Sequence, residues 1–262
     1  MKTEDFTFTY ELNDEFRVFP SYAVCLCTQN LNFFEALLDC PGLPQFNPMM
    51  LLHGEHLVEF VKPLSIDSKL KSVGSISNVA DKVKGALITF EIKTYEIGEK
   101  NEETLVFINY FSVFIRGIGG FDYKGLPQKA LPAKPKRAAD ATIDEKTTPG
   151  QAIIYRLSGD YNPLHIDPNM AAMGGFDRPI LHGLCFYGLA TKAVYQKYCV
   201  GNANMLKAVQ ARFTSHVFPG ETVRFSLWKE GNVVVFSGST VERGLECIVG
   251  AVELNETPLS KL

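Results

Sequence analysis

The sequence predicts an α+β fold: two related halves, mostly antiparallel β, joined by a linker, with one long buried helix in the second half. Three observations carry this. Runs rich in branched and aromatic residues, separated by turn signals, recur in both halves. One apolar-rich run from Leu184 to Tyr198 has the length of a helix, not a strand. A weak internal repeat links the halves: Leu52-His53-Gly54 echoes Leu181-His182-Gly183, and EFVKPLSIDSKL from Glu59 parallels RFTSHVFPGETV from Arg212, with Phe60 opposite Phe213.

Taken in order, Phe6, Phe8 and Tyr10 alternate as in a strand, Tyr22 to Cys27 is a short apolar run, and Phe33 to Leu38 suits a helix before the Cys40-Pro41-Gly42 break. Strands are expected over His56 to Leu64, Lys69 to Ala80, Lys84 to Ile97 and Thr104 to Ile115. Gly117, Gly119 and Gly120 do not complete a dinucleotide loop and mark a bend at a strand end. Residues 1–124 are the first half. Residues 125–150, rich in Pro, Lys and Ala without apolar periodicity, read as a linker whose KPKR run is a solvated loop. Residues 151–258 are the second half, with strands near Met205 to Phe218, Thr222 to Glu230, Val233 to Glu242 and Leu245 to Leu254. Residues 259–262 form a tail.

Composition bounds the function. At 262 residues the chain has ample apolar content for a core. A net charge of -3 argues against nucleic acid as a partner. No apolar run is long enough to span a bilayer, and the N-terminus has no signal-peptide core, so a soluble, non-secreted protein is expected. Six scattered cysteines without paired spacing read as reduced core residues. The C-terminal Ser260-Lys261-Leu262 matches the tripeptide read by the peroxisomal import receptor.

The chemistry concentrates in YRLSGDYNPLHIDP, Tyr155 to Pro168. Asp160 and His165 lie five positions apart, out of phase for one helix face, but Asn162-Pro163 between them is a turn signal that folds both side chains toward one spot. A carboxylate and an imidazole converging beside an amide make a general acid/base pair. Gly159 permits a backbone angle or close approach that a Cβ would block, and Asp167-Pro168 reads as N-cap and first residue of a short helix. The long helix begins near Gly183, whose free amide suits an oxygen that becomes negative during reaction. The alternatives are an Asx-turn with a structural His, or a metal loop; the segment lacks the ligand pattern of a calcium hand. His53-Gly54-Glu55-His56 is not HExxH and runs into a strand that would point the two histidines to opposite faces, so no metal is expected there.

Tyr155, Leu157, Ser158, Gly159, Asp160, Asn162, Pro163, Leu164, His165 and Ala171, with FDRPILHGLC downstream, fall where the hydratase 2 (MaoC-like) family has its signature, and the chain resembles that family from about Phe6 onward. The resemblance implies a double hot-dog fold and (R)-specific hydration of trans-2-enoyl-CoA to (3R)-3-hydroxyacyl-CoA, without a cofactor beyond the CoA of the substrate, in a homodimer. It places Asp160 and His165 as catalytic, Gly183 as oxyanion donor, Asn162 as orienting group, and His53, Gly54, Lys82, His182 and Phe213 at substrate contacts. Relatives add an N-terminal helix ahead of Phe6, and multifunctional ones add dehydrogenase and sterol-carrier units; neither occurs in this sequence, which reads as a stand-alone hydratase. A hot-dog thioesterase or a noncatalytic acyl-CoA-binding protein would share the fold; the intact Asp-x-Asn-Pro-x-His spacing favours hydration. In the first half LHG nearly abuts its strand, so the helix present in the second copy is missing, and the gap is expected to take the acyl chain. Enlarging first-half core residues should then slow long-chain substrates selectively, as read from turnover across a chain-length series; equal loss at every length would refute this.

Overall fold

A computed structural model describes residues 6–27, 33–47, 50–199 and 201–257. Its strands are β1 (Leu51–Phe60), β2 (Lys69–Asp81), β3 (Gly85–Ile97), β4 (Glu103–Arg116), β5 (Ala141–Lys146), β6 (Leu206–Phe213), β7 (Thr222–Glu230), β8 (Val233–Thr240) and β9 (Glu246–Leu254). They form one antiparallel sheet in the order β2-β3-β4-β1-β6-β9-β8-β7-β5. The halves are therefore not separate sheets, because β1 and β6 pair at the centre and make them continuous. The strand order reflects the repeat read from sequence: outward from the seam it runs β1-β4-β3-β2 on one side and β6-β9-β8-β7 on the other. A pseudo-twofold axis thus passes through the seam.

The helices are α1 (Phe6–Thr9), α2 (Ala23–Leu26), α3 (Phe33–Leu38), α4 (Gln151–Arg156), α5 (Pro168–Met173) and α6 (Gly183–Val194). Helix α6 packs across the second half, burying Leu184, Phe186, Tyr187, Ala190, Ala193 and Val194 in one core with Val58, Val209, Phe225 and Phe236. The small Ala190 and Ala193 let it approach the sheet closely. Among the described residues the first half has no counterpart of α6. Its sheet is covered by Cys27 and Leu37, with Leu43 and Phe46, packed on Ala86, Ile88, Phe90, Val113 and Ile115.

Three expectations are corrected. Phe6 to Tyr10 is not a strand: α1 forms there, and Phe8 packs edge-on against Phe19 and Tyr195, so aromatic packing decides over alternation. The β6 strand stops at Phe213, and residues 214–221 turn back instead of extending to Phe218. The linker is no free tether. Lys129 accepts a hydrogen bond from Gln210 at its carbonyl and pairs with Glu253, Trp228 donates to the Arg137 carbonyl, and β5 adds an edge strand on β7, clamped by Arg224 and Asp144. Only Ala141 and Ile143 of β5 face the core, too few for a periodic signal. All six cysteines are free, and all but Cys40 are buried. Among the described residues no helix is long and apolar enough to cross a membrane.

Candidate active site

Between α4 and α5 the chain turns as its sequence requires. Gly159 takes φ 113°, a region that disfavours any side chain. The Asp160 carboxylate accepts the Asn162 backbone N–H at 3.1 Å. The Asn162 side-chain oxygen accepts from Leu164 N at 3.0 Å and caps a single 3-10 turn, Pro163–His165. Asn162 therefore orients Asp160 through its main chain and spends its side-chain oxygen on the turn. Asp167 caps α5 by accepting from Asn169 N and Met170 N, with Pro168 as the first helical residue.

The turn points the buried His165 ring inward, where Nδ1 donates to the carbonyl of Ile180 at 2.8 Å. That bond leaves Nε2 with the lone pair. Burial lowers the His165 pKa, against the opposing pull of Asp160 and the Ile180 carbonyl, so the ring is neutral at neutral pH. His182, at the N-cap of α6, donates from Nε2 to the Asp160 carbonyl at 3.2 Å. Its ring stacks on His165 with centroids 3.7 Å apart and planes at 27°. Ligating atoms of Asp160, His165 and His182 all lie within 4.8 Å of one another. His182 comes from a second loop, so the three groups do not belong to one segment. His165 Nδ1 and His182 Nε2 are engaged with the carbonyls of Ile180 and Asp160, and a neutral imidazole beside a carboxylate is an arrangement suited to moving protons.

Gly183 opens α6, where its amide has no acceptor within the helix. A Cβ here would stand 3.2 Å from the Phe213 ring, so Gly lets this aromatic lie against the helix start. Phe213 in turn meets His53, with centroids 4.9 Å apart. A bulge between His53 and Glu55 overturns the expectation that His53 and His56 face opposite ways. Their rings meet, His53 Nε2 to His56 Nδ1 at 3.3 Å. His56 Nε2 donates to Asn109 at 2.9 Å, and Asn109 donates to the Ala23 carbonyl at 3.3 Å. Gly54 lies in that bulge. The structure thus brings together Asp160, Asn162, His165, His182 and Gly183, and sets Phe213 and His53 beside Gly183. Lys82 stands apart, exposed on the turn between β2 and β3.

Sequence reasoning missed three contributors. The Ile180 carbonyl holds His165, a main-chain role that no side chain announces. Helix α2 brings the Cys25 thiol within 3.8 Å of the Tyr155 hydroxyl, and Tyr155 lies against His182. Arg243 forms a forked ion pair with the buried Glu221, which also accepts Phe218 N at 2.7 Å. That pair fixes the 214–221 turn, whose Val217 carbonyl holds Leu181 N at 2.7 Å. A cavity of about 310 Å³ lies elsewhere, between residues 126–129 and the sheet, lined by Ser77, Thr89, Ser112 and Gln210. It contains none of the acid/base cluster, and the chemistry is assigned to the cluster on the strength of its converging groups.

This architecture defines a class. Two family models match, the MFE-2 hydratase 2 N-terminal domain over residues 1–117 and the MaoC like domain over residues 130–251. A crystal structure of a MaoC-like dehydratase from Phytophthora capsici superimposes with a TM-score of 0.85 at 37% identity, covering 97% of this chain and 88% of that one. A Mycobacterium tuberculosis protein described as having a double hotdog fold superimposes at TM-score 0.53 and 11% identity, over 91% of this chain and 82% of that one, which shows the shared fold. The chain is a MaoC-like double hot-dog protein.

Within that class it belongs to the hydratase 2 family. It is 38% identical over 257 residues to a probable enoyl-CoA hydratase 2 of Dictyostelium discoideum, covering 97% of this chain and 85% of that protein. It is 38% identical over 243 residues to the peroxisomal multifunctional enzyme type 2 of Mus musculus, covering 92% of this chain and 32% of that protein. The chain thus spans about a third of the length of this multifunctional relative.

The site has a consequence for acid stability. All five histidines have lowered pKa values, with burial the largest cause in each; His56 and His182 fall to about 4. At Glu221 burial pushes the carboxyl up, but Arg243 and the Phe218 amide overcome it and hold it below its ordinary value. Each group is deprotonated in the fold where the unfolded chain would take a proton. The histidine contribution is fully present above about pH 6.5 and is lost as pH falls through the folded values; that of Glu221 is lost at still lower pH. The unfolding free energy from urea titrations should fall steadily from pH 6.5 to 4.5, by up to about 1.4 kcal/mol per pH unit for each buried imidazole. A flat profile over this range would contradict the burial of neutral rings.

Proposed function

We propose that the chain catalyses the reversible hydration of trans-2-enoyl-CoA to (3R)-3-hydroxyacyl-CoA. The observation that carries this reading is the convergence of the Asp160 carboxylate and the neutral His165 beside the open Gly183 amide. In the conjugated thioester, water adds at C3 once it is positioned and deprotonated and the enolate oxygen is stabilised. Water held between Asp160 and His165 Nε2 gives one proton to the pair as its oxygen bonds to C3. The pair returns one proton at C2, so the elements of water are added and nothing is oxidised or reduced. Gly183 N–H donates to the thioester oxygen as it gains charge. Both proton-handling groups meet one face of the double bond, so addition is syn. The coupled pair acts as a unit. Lys82 would meet a CoA phosphate as a point charge from the rim, and His53, Gly54 and Phe213 would border the thioester.

The names of relatives support the substrate and compartment. An enoyl-CoA hydratase 2 of Arabidopsis thaliana, 37% identical over 96% of this chain and 83% of that protein, is named peroxisomal. Ser260, Lys261 and Leu262 lie outside the described residues, and we assign them to the peroxisomal import receptor, with a homodimer imported into the matrix. A fluorescent fusion ending in Ser260-Lys261-Leu262 should collect in peroxisomes and its truncated form should not, and the mass in solution should be twice that of the chain. Diffuse fluorescence or a monomeric mass would remove the corresponding assignment.

The reaction is tested by the absorbance loss of a medium-chain trans-2-enoyl-CoA, chiral analysis of the product and a check for free thiol. Asp160→Asn and His165→Gln should each lower kcat by about 10²–10⁴-fold with CoA-ester binding kept, and the double variant should be little worse than the worse single one. Near-wild-type turnover in either variant would exclude the assignment; an (S) product or thiol release would replace the reaction.

A further inference from the structure

The family resemblance implies a substrate contact for His182, and its geometry gives it a different task. A neutral imidazole has one N–H, and His182 spends it on the Asp160 carbonyl. Its Nδ1 is buried without a partner, and the residue is 1% exposed. With its pKa lowered to about 4, chiefly by burial and then by His165, the ring gains no second donor at neutral pH. It therefore has no N–H to offer a thioester oxygen.

Its backbone has a separate connection. His182 is the N-cap of α6, with φ -57° and ψ 134°, and its carbonyl accepts Cys185 N at 3.1 Å. The next residue is Gly183. One residue therefore ties the Asp160 loop by its side chain, covers His165 by its ring, and fixes the helix start that carries the Gly183 amide. Three groups that must meet one substrate are referenced to a single rigid residue.

We propose that His182 is the positioning residue of this site, holding Asp160 through its backbone carbonyl and shielding one face of His165, rather than a contact of the acyl thioester. The proposal rests on the hydratase reading of Asp160 and His165. The charged and titratable groups facing the stacked pair are the Asp160 carboxylate, Arg156, which stacks on Tyr161 at 4.6 Å, the Tyr155 hydroxyl and the Cys25 thiol. Of these, Asp160 favours a protonated His165, while burial disfavours it and prevails. The shield supplied by His182 is part of that burial.

Two substitutions separate the roles. His182→Phe keeps a ring over His165 and removes the donor to Asp160; His182→Gln keeps a donor and removes the ring. With purified full-length chain and a medium-chain trans-2-enoyl-CoA, each should lower kcat on the order of 10²-fold with KM within about threefold of wild type. The acidic limb of the kcat/KM profile should stay in place for His182→Phe and move to higher pH for His182→Gln, as His165 meets water and returns toward its ordinary value near 6.5. In an Asp160→Asn background His182→Phe should add little further loss. A tenfold or larger rise in KM with kcat unchanged would make His182 a substrate contact, and wild-type kcat in both variants would end the proposal. Should His182→Phe fail to fold, the kcat-against-KM split and limb shift of His182→Gln decide alone. If wild-type protein does not turn over the enoyl thioester, the hydratase reading fails; the His165 titration followed by NMR in wild type and His182→Gln still reads the shield, with no upward shift counting against it.

Discussion

The hydrogen bond from His165 Nδ1 to the Ile180 carbonyl is the constraint on which the site depends. It selects the tautomer, aims Nε2, and, with the His182 bond to the Asp160 carbonyl, joins the two loops of the site. The bond is only as firm as its acceptor. Ile180 sits in a small buried cluster with Leu164, Ala171 and Phe218, and the next residue, Leu181, is held by Val217. Behind Val217 stands the Arg243–Glu221 pair, with both Arg178 and Arg243 stacked on Phe218. An ion pair this buried contributes less to net stability than its contacts suggest, because desolvation opposes the attraction. Its forked geometry nonetheless admits only a narrow range of positions for the 214–221 turn, and positional precision is what an acid/base pair needs.

Burying neutral imidazoles is the cost of this design. Each buried ring forfeits the proton it would accept in water, and the fold offsets that by giving the rings defined neutral-state partners: Ile180 for His165, Asp160 for His182, Asn109 for His56. The same neutrality is functional at His165, since a protonated ring has no lone pair with which to accept a proton from water. Stability and catalysis therefore fail in the same direction as pH falls.

Much of this was legible in the sequence because it is local. Asn162-Pro163, Asp167-Pro168 and Gly159 specify their turn, cap and left-handed angle from chemistry within a few residues, and the α6 run announces its helix. What was not legible acts at long range or through the main chain. The Ile180 carbonyl looks the same in any residue. The bulge that turns His53 toward His56 is a register event set by pairing with β4. Helix α1 carries a strand-like alternation, but its Phe8 ring finds Phe19 and Tyr195 across a tertiary contact. The strand in the linker has only Ala141 and Ile143 to signal it.

The duplicated halves have diverged in a physically intelligible way. Both retain an LHG motif, and the strand order still mirrors about the β1–β6 seam. In the second half the motif's histidine reaches the Asp160 loop and its glycine opens a helix. In the first half no such helix follows, and His53 is wired instead through His56 and Asn109 to the Ala23 carbonyl of α2. That helix carries Cys25 to Tyr155, which lies against His182. The first motif thus makes no second acid/base pair. Its hydrogen-bonded chain runs toward the wall of the one that exists, so the loss of chemistry in one copy is coupled to support of the other.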